Sequence, residues 1–301
     1  MTFAPLNEPR QELGAAALDG RIYTIGGLSG RANANEIYDS RTDTWSLGAD
    51  FPVDTDHPWA VAFAGRVFAG GGRTNRVFSY DPAANAWTEV APSQFIHGGT
   101  PAAAAIGALI YVAGGTGGNM TGNEVEAYDP AADRWTLLAP MRCARNHTAG
   151  AVIDGKLYVA GGRPGSQECL EVYDPGTNTW TPRAPMPTGR SGVAGAAVSG
   201  CFYVFGGEGN EHDPNGIFHE VEAYDPGTDR WIELPPMPVG RHGIYAAVLG
   251  NAIHLPGGAT QEGFGVTGVH DAFVVEPRTP RAGPVPRPRG PRPPPALPPR
   301  N

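Results

Sequence analysis

Short apolar runs without alternation recur along the chain, at 22–25, Leu109–Ala113, 157–160 and Cys201–Phe205, and each ends in a pair of glycines. Such pairs stand at 26/27, 71/72, 114/115, 161/162, 206/207 and 257/258. A run of this length bounded by turn residues reads as a strand covered on both faces. One copy shows the whole unit. Residues 147–153 predict a first strand that meets a turn at Asp154-Gly155, and Lys156–Ala160 a second that ends in the glycine pair. Residues 168–173 predict a third, and a fourth begins near Trp180 beyond a Pro175-Gly176 turn. The first turn needs positive φ, which accounts for Gly20, Gly65, Gly155 and Gly200 at matching positions. Each unit is therefore a four-stranded antiparallel meander, and six of them fill the chain from residue 20 to about 277.

Sheets covered on both faces by copies of themselves stack in a line or around a ring, and only the ring leaves no terminal face exposed. The last copy points to a ring. Its third strand ends where Val275 replaces the tyrosine of other copies, Ala282 replaces the tryptophan, and no fourth strand follows. At the other end Ala4-Pro5-Leu6 aligns with Ala139-Pro140-Met141 and Ala184-Pro185-Met186, and Arg10 with Arg145, Arg190 and Arg241. The N-terminal segment is thus expected to supply the missing outer strand of the sixth sheet, in one all-β domain over residues 1–277. Residues 278–301 form a Pro/Arg tract too poor in apolar residues to pack, so a disordered tail is expected there. Its Pro-x-x-Pro spacings resemble ligands of aromatic-grooved adaptor domains. Folding back onto the acidic body is the alternative.

The double glycine, Tyr-Asp-Pro, spaced tryptophan and preceding arginine together resemble the Kelch repeat over about 275 residues. The resemblance implies a six-bladed β-propeller with four-stranded antiparallel blades, in which glycines, tyrosines and tryptophans are architecture. It also implies a recognition module with protein partners.

Charge narrows the partners. Six of the 22 basic residues lie in 278–301 with no acid, so the body holds 16 basic against 30 acidic side chains. An acidic body argues against nucleic acid, and no run approaches the length that spans a bilayer. Without a leader pattern at the start, a soluble cytoplasmic protein is expected. Cys143, Cys169 and Cys201 have no metal-like spacing and are expected to be reduced thiols. No cofactor is implied.

Antiparallel blades place the first and third turns of each unit on one face, and the second loops and the blade-to-blade connections on the other. Tyrosine-to-tryptophan spacing is seven residues in all five copies that have both, whereas the spacing from the second glycine to the tyrosine position is 11, 8, 13, 11, 17 and 17. Variable loops on a repetitive scaffold mark the binding face. Its candidates for ligand binding are His57, Arg73, His97, Arg145, His147, Arg163, Arg190 and Arg241, which suit an acidic peptide, protein or glycan. Because the arginines recur at one template position, a structural role for them stays open. The loop 208–220 is dense in acids and histidines; Glu211-x-x-x-Asn215-x-x-x-His219 resembles the iron-binding triplet of nitrile-specifier Kelch proteins but departs at Asn215. Glu211 and His219 are thus weak metal candidates, and no metal is expected. The alternative to a non-catalytic binder is an enzyme resembling the bacterial sialic acid epimerases, six-bladed Kelch propellers acting on an acidic sugar. A third reading, a copper oxidase like galactose oxidase, lacks placeable ligands.

Overall fold

The computed structural model describes residues 1–165 and 167–276; the expected tail lies outside the described residues. Among these residues every regular element is a strand, and the strands form six four-stranded antiparallel sheets arranged as blades. Blades 1 to 5 span 14–47, 58–90, 102–137, 149–182 and 194–234, each in simple meander order. Blade 6 takes three strands from 247–274 and its outer strand from Thr2–Phe3, with Thr2 opposite Asp271 and Phe3 opposite His270. The ring therefore closes with a strand from each end of the chain, as the sequence pattern predicts. No helix of the described residues is long and apolar enough to cross a membrane.

The innermost strands carry small residues because they converge on the axis. A Cβ at Gly150 would stand 2.7 Å from the Ala102 Cβ, and one at Gly195 2.7 Å from the Ala149 Cβ. They line a central channel of about 410 Å³. Tyr245 of blade 6 crosses it and donates its hydroxyl to the Pro101 carbonyl of blade 3, opposite, at 2.7 Å.

Blades pack through apolar faces shared between neighbours, as where Tyr111 and Val125 of blade 3 meet Leu157, Val159, Tyr173 and Trp180 of blade 4. At the outer edge five of the six junctions are fixed by one repeated clamp. Trp180 donates its indole N–H to the Ala139 carbonyl at 2.9 Å, while the Ala139 amide donates to Asn178 Oδ1 at 2.9 Å. Asn178 Oδ1 also accepts from the Tyr173 hydroxyl at 2.7 Å. The same three bonds tie Ala49 to blade 2, Ala91 to blade 3 and Ala184 to blade 5. They also tie Ala4, from the closing segment, to blade 1. Phe273 and Val275 stand in blade 6 without a tryptophan, so the junction of blades 5 and 6 lacks the clamp and leaves an apolar cleft lined by Met1, Phe205, Pro236 and Phe273.

The cysteine expectation is corrected. Cys143 and Cys169 form a disulfide, with Cα atoms 6.9 Å apart, while Cys201 is buried and stands outside that bridge. The two residues meet because the segment entering blade 4 and the second loop of that blade lie side by side on one face. Structural disulfides persist in oxidising compartments, so the pairing removes one ground for the cytoplasmic expectation.

Candidate functional site

The recurring arginines lie inside the blades. Arg10, Arg145, Arg190 and Arg241 are buried, each beneath a glycine pair and facing an acid on the third strand of its own blade. Arg10 meets Glu36 at 2.9 Å, Arg145 meets Glu171 at 3.5 Å, Arg190 meets Glu222 at 2.5 Å, and Arg241 pairs with Asp271. Their other donors reach backbone carbonyls, as Arg145 does at Gly161, Cys169 and Val159. His97 occupies the same template position in blade 3, with Nε2 3.0 Å from Glu126 and Nδ1 2.7 Å from the Gly114 carbonyl. Blade 2 has neither partner: Thr55 and Phe78 stand at the two positions. These residues organise the loops and present no guanidinium to a ligand.

Two residues after that position the chain turns around the axial mouth. Glu12, His57, Gly99, His147, Gly192 and Gly243 stand there in blades 1 to 6, all in the left-handed region with φ between 53° and 68°. The amides of Glu12, His57, His147, Gly192 and Gly243 donate to carbonyls of the same position in the neighbouring blade at 2.5 to 3.0 Å. Glycine adopts this conformation freely, whereas other side chains cost about 1 to 3 kcal/mol each. Three blades use glycine. The other three hold Glu12, His57 and His147, whose side chains converge over the channel.

Around them lies a pocket of about 320 Å³ lined by Gln11, Glu12, His57, Arg163, Glu208 and His242, among others. Gly243 makes room for the Glu12 carboxylate, since a Cβ there would stand 2.6 Å from Oε1. Glu12 is 3% exposed; its Oε2 lies 3.6 Å from His57 Nε2 and has no hydrogen-bond partner, while Oε1 lies 3.6 Å from His242 Nδ1. Burial pushes the Glu12 carboxyl above its ordinary value, opposed by the imidazoles of His57 and His242. His147 is held neutral: burial, with Arg163 and the neighbouring histidines, pushes it down to about 2. Its Nδ1 faces Asn146 Oδ1 at 2.5 Å, leaving Nε2 to accept from Arg163 Nη2 at 2.9 Å. His57 Nδ1 lies 2.9 Å from Asp56. Glu208 binds Arg163, approaches His242 Nδ1 at 3.3 Å and accepts the Gly263 amide at 3.2 Å. His242 Nε2 lies 3.0 Å from the Gln261 carbonyl.

Of the residues expected to bind ligand, the structure brings His57, His147 and Arg163 together at the mouth. Arg73 stands at its rim, 80% exposed and paired with Asp56 at 2.9 Å. Arg145, Arg190, Arg241 and His97 are withdrawn into the blades. Glu211 and His219 are exposed and His219 Nδ1 is bound to the Met237 carbonyl at 3.0 Å. Glu12 and Tyr245 were not among the candidates, and Glu208 and His242 lie on the face that the sequence marks for binding without being singled out within it. A signal for Glu12 existed: at one template position three copies carry glycine, and three carry Glu or His.

A Kelch motif model matches residues 9–52, 99–142, 144–187 and 189–238. Blades 2 and 6, outside these matches, are the ones that depart most from the template. The chain is 29% identical to Kelch-like protein terF of Aspergillus terreus over 314 residues, covering 94% of this chain and 68% of that protein. It is 31% identical over 99 residues to Kelch repeat and BTB domain-containing protein 1 of Ectromelia virus, and 31% over 93 residues to Kelch-like protein 35 of Mus musculus. Those two matches span 18% and 16% of the relatives' lengths. A solved structure titled "Structure of YjhT" superposes with a TM-score of 0.75 at 17% identity, covering 90% of this chain and 95% of that one, and shares the fold. Because the motif model matches well over half of the residues and all six blades share one template, the chain belongs to the Kelch-repeat family.

Proposed function

We propose that the protein is a recognition propeller that works through its loop-bearing face, with the axial mouth as the centre of the binding surface. The observation that carries this reading is the left-handed ring, where Glu12, His57 and His147 hold costly backbone conformations that glycine takes in the other blades. Tyr245 spans the central channel, so on this reading a ligand inserts a group at the mouth rather than passing through. Relatives named as Kelch-like proteins support a protein partner. Arg163, 42% exposed, and Arg73 are the cations available to an acidic peptide or acidic sugar, which would compete with Glu208 and Asp56 for them. Calorimetric titration with a glutamate-rich peptide and with sialic acid tests this. Binding lost on combining Arg73→Ala with Arg163→Ala is the expected result, and binding indifferent to that change would dismiss the acidic-ligand reading.

One further observation favours catalysis on an acidic sugar. His242 Nδ1 lies 3.3 Å from Glu208 and 3.6 Å from Glu12, close enough for a proton to pass between imidazole and carboxylate while Arg163 holds the substrate. Acceleration of sialic acid mutarotation by the pure protein, lost in His242→Gln, is the expected outcome on this reading. No acceleration ends it.

A further inference from the structure

The three residues that carry the recognition reading through their backbones also bring their side chains together at the mouth as a set of donor atoms. Glu12, His57 and His147 each offer one ligand atom, and these atoms all lie within 4.8 Å of one another. Two histidines and a carboxylate are a donor set for zinc and related divalent first-row ions, with coordination positions left for water or substrate. We infer that these three residues form a binding site for a divalent transition-metal ion, zinc being the best match to the donors. The inference stands apart from the ligand proposed above.

Four observations support it. The Glu12 carboxylate is buried, and its Oε2 points at His57 Nε2, 3.6 Å away, without a hydrogen-bond donor. A buried carboxylate oxygen left unsatisfied is costly, and a cation resolves it. Each histidine has its far nitrogen engaged by a neighbour: Asp56 on His57 Nδ1, and Asn146 on His147 Nδ1. Such outer partners fix the ring and the tautomer so that Nε2 faces the metal. The three residues come from blades 1, 2 and 4 but share one template position, so the backbone ring that carries them is the same hydrogen-bonded scaffold. Finally, the group now on His147 Nε2 is Arg163, whose other arm rests on Glu208; a small rotation toward Glu208 frees the nitrogen. Ligand atoms around zinc stand about 3.4 Å apart, so Glu12 and His57, at 3.6 Å, are nearly in place and no pair in the triad needs to close by more than about 1.4 Å on binding.

Among the described residues the other group able to gather on a metal, Cys143, Cys169 and Glu171, is occupied by the disulfide and by amide donors from Arg142 and Cys143. It supplies a control.

The experiment takes the full chain stripped with EDTA and titrates it with Zn²⁺ by calorimetry and with Co²⁺ by visible absorption. One equivalent bound, with cobalt ligand-field bands and no thiolate charge-transfer band, is expected. His57→Gly, His147→Gly and Glu12→Gln each weaken binding at least tenfold. The glycine variants keep the fold because blades 3, 5 and 6 already carry glycine there. Asp56→Ala weakens binding about 10- to 100-fold through the His57 ring. Arg163→Ala leaves it unchanged or tighter, the opposite of its effect on an acidic ligand. The inference is overturned by absence of saturable uptake, by uptake indifferent to both glycine variants, or by uptake lost instead in Cys143→Ser with Cys169→Ser or in Glu211→Ala with His219→Ala.

Discussion

A buried guanidinium is stable only while its carboxylate stays beside it. Arg190→Ala therefore leaves Glu222 charged and dry in the interior of blade 5, at a cost of about 3 to 5 kcal/mol. Urea unfolding should show that loss, while Arg73→Ala, at an exposed rim position, leaves the midpoint in place. Blade 2 shows the neutral solution, Thr55 with Phe78, so Arg190→Thr combined with Glu222→Phe should recover part of what Arg190→Ala loses. A second residue-scale effect concerns His254 and His270, whose ring nitrogens lie 2.9 Å apart against Phe3 and Tyr38. Burial holds His254 down to about 4 and His270 down to about 3, against about 6.5 in an unfolded chain. Between those values the unfolded state binds more protons, so the stability from this pair is complete above about pH 6.5 and is lost as pH falls toward 4 and 3. Calorimetric melting from pH 7 to pH 4.5 should show a falling Tm, and His254→Phe should flatten that slope; an unchanged slope would assign acid sensitivity elsewhere. The recurrence of arginine was legible in the sequence. Its direction was not, because the acid it meets comes from 26 to 32 residues later, on the third strand of the same blade.

Among the elements, the clamp between neighbouring blades explains why tyrosine and tryptophan keep a fixed spacing. The residue five after each tyrosine, Asp43, Asn85, Asp133, Asn178 or Asp229, accepts the tyrosine hydroxyl and an amide of the preceding blade from a left-handed backbone. Asn178→Ala removes the one oxygen that accepts both bonds and leaves a side chain in a left-handed turn, so it should destabilise by about 2 to 4 kcal/mol; Asn178→Gly loses the same two bonds but relieves the strain, and should cost less. Chemical denaturation of the two variants separates the contributions, and equal losses would show that backbone strain plays no part. The strand pattern was readable because both faces of each sheet are buried and turns need glycine. The disulfide was not, since nothing in the spacing of Cys143 and Cys169 shows that two loops of blade 4 run side by side. That bridge closes a loop of 26 residues, for which chain entropy gives about 3.5 kcal/mol, and reduction should lower Tm accordingly.

At the scale of the ring, closure was legible because Ala4-Pro5-Leu6 repeats the segment that follows the tryptophan in other copies. The mouth was legible only in part, because its side chains come from five blades and meet across the axis, where sequence distance carries no information. Closure also sets where the ring is weakest. Blade 6 is held to blade 1 by the Ala4 clamp on Asp43 and Trp45, but to blade 5 without any tryptophan clamp, across the apolar cleft beside Met1 and Pro236. Its outer strand, Thr2–Phe3, is also short. A sheet with fewer tethers opens before the ring unfolds as a whole. Native-state hydrogen exchange should therefore show the amides of His270–Val274 exchanging faster than those of Leu170–Asp174, the equivalent strand of blade 4. Phe3→Ala should widen that difference, since the side chain packs on His254 and His270, while leaving blade 4 unaffected until global unfolding. Uniform protection in both strands would mean that the ring opens as one cooperative unit and that the missing tryptophan is compensated elsewhere.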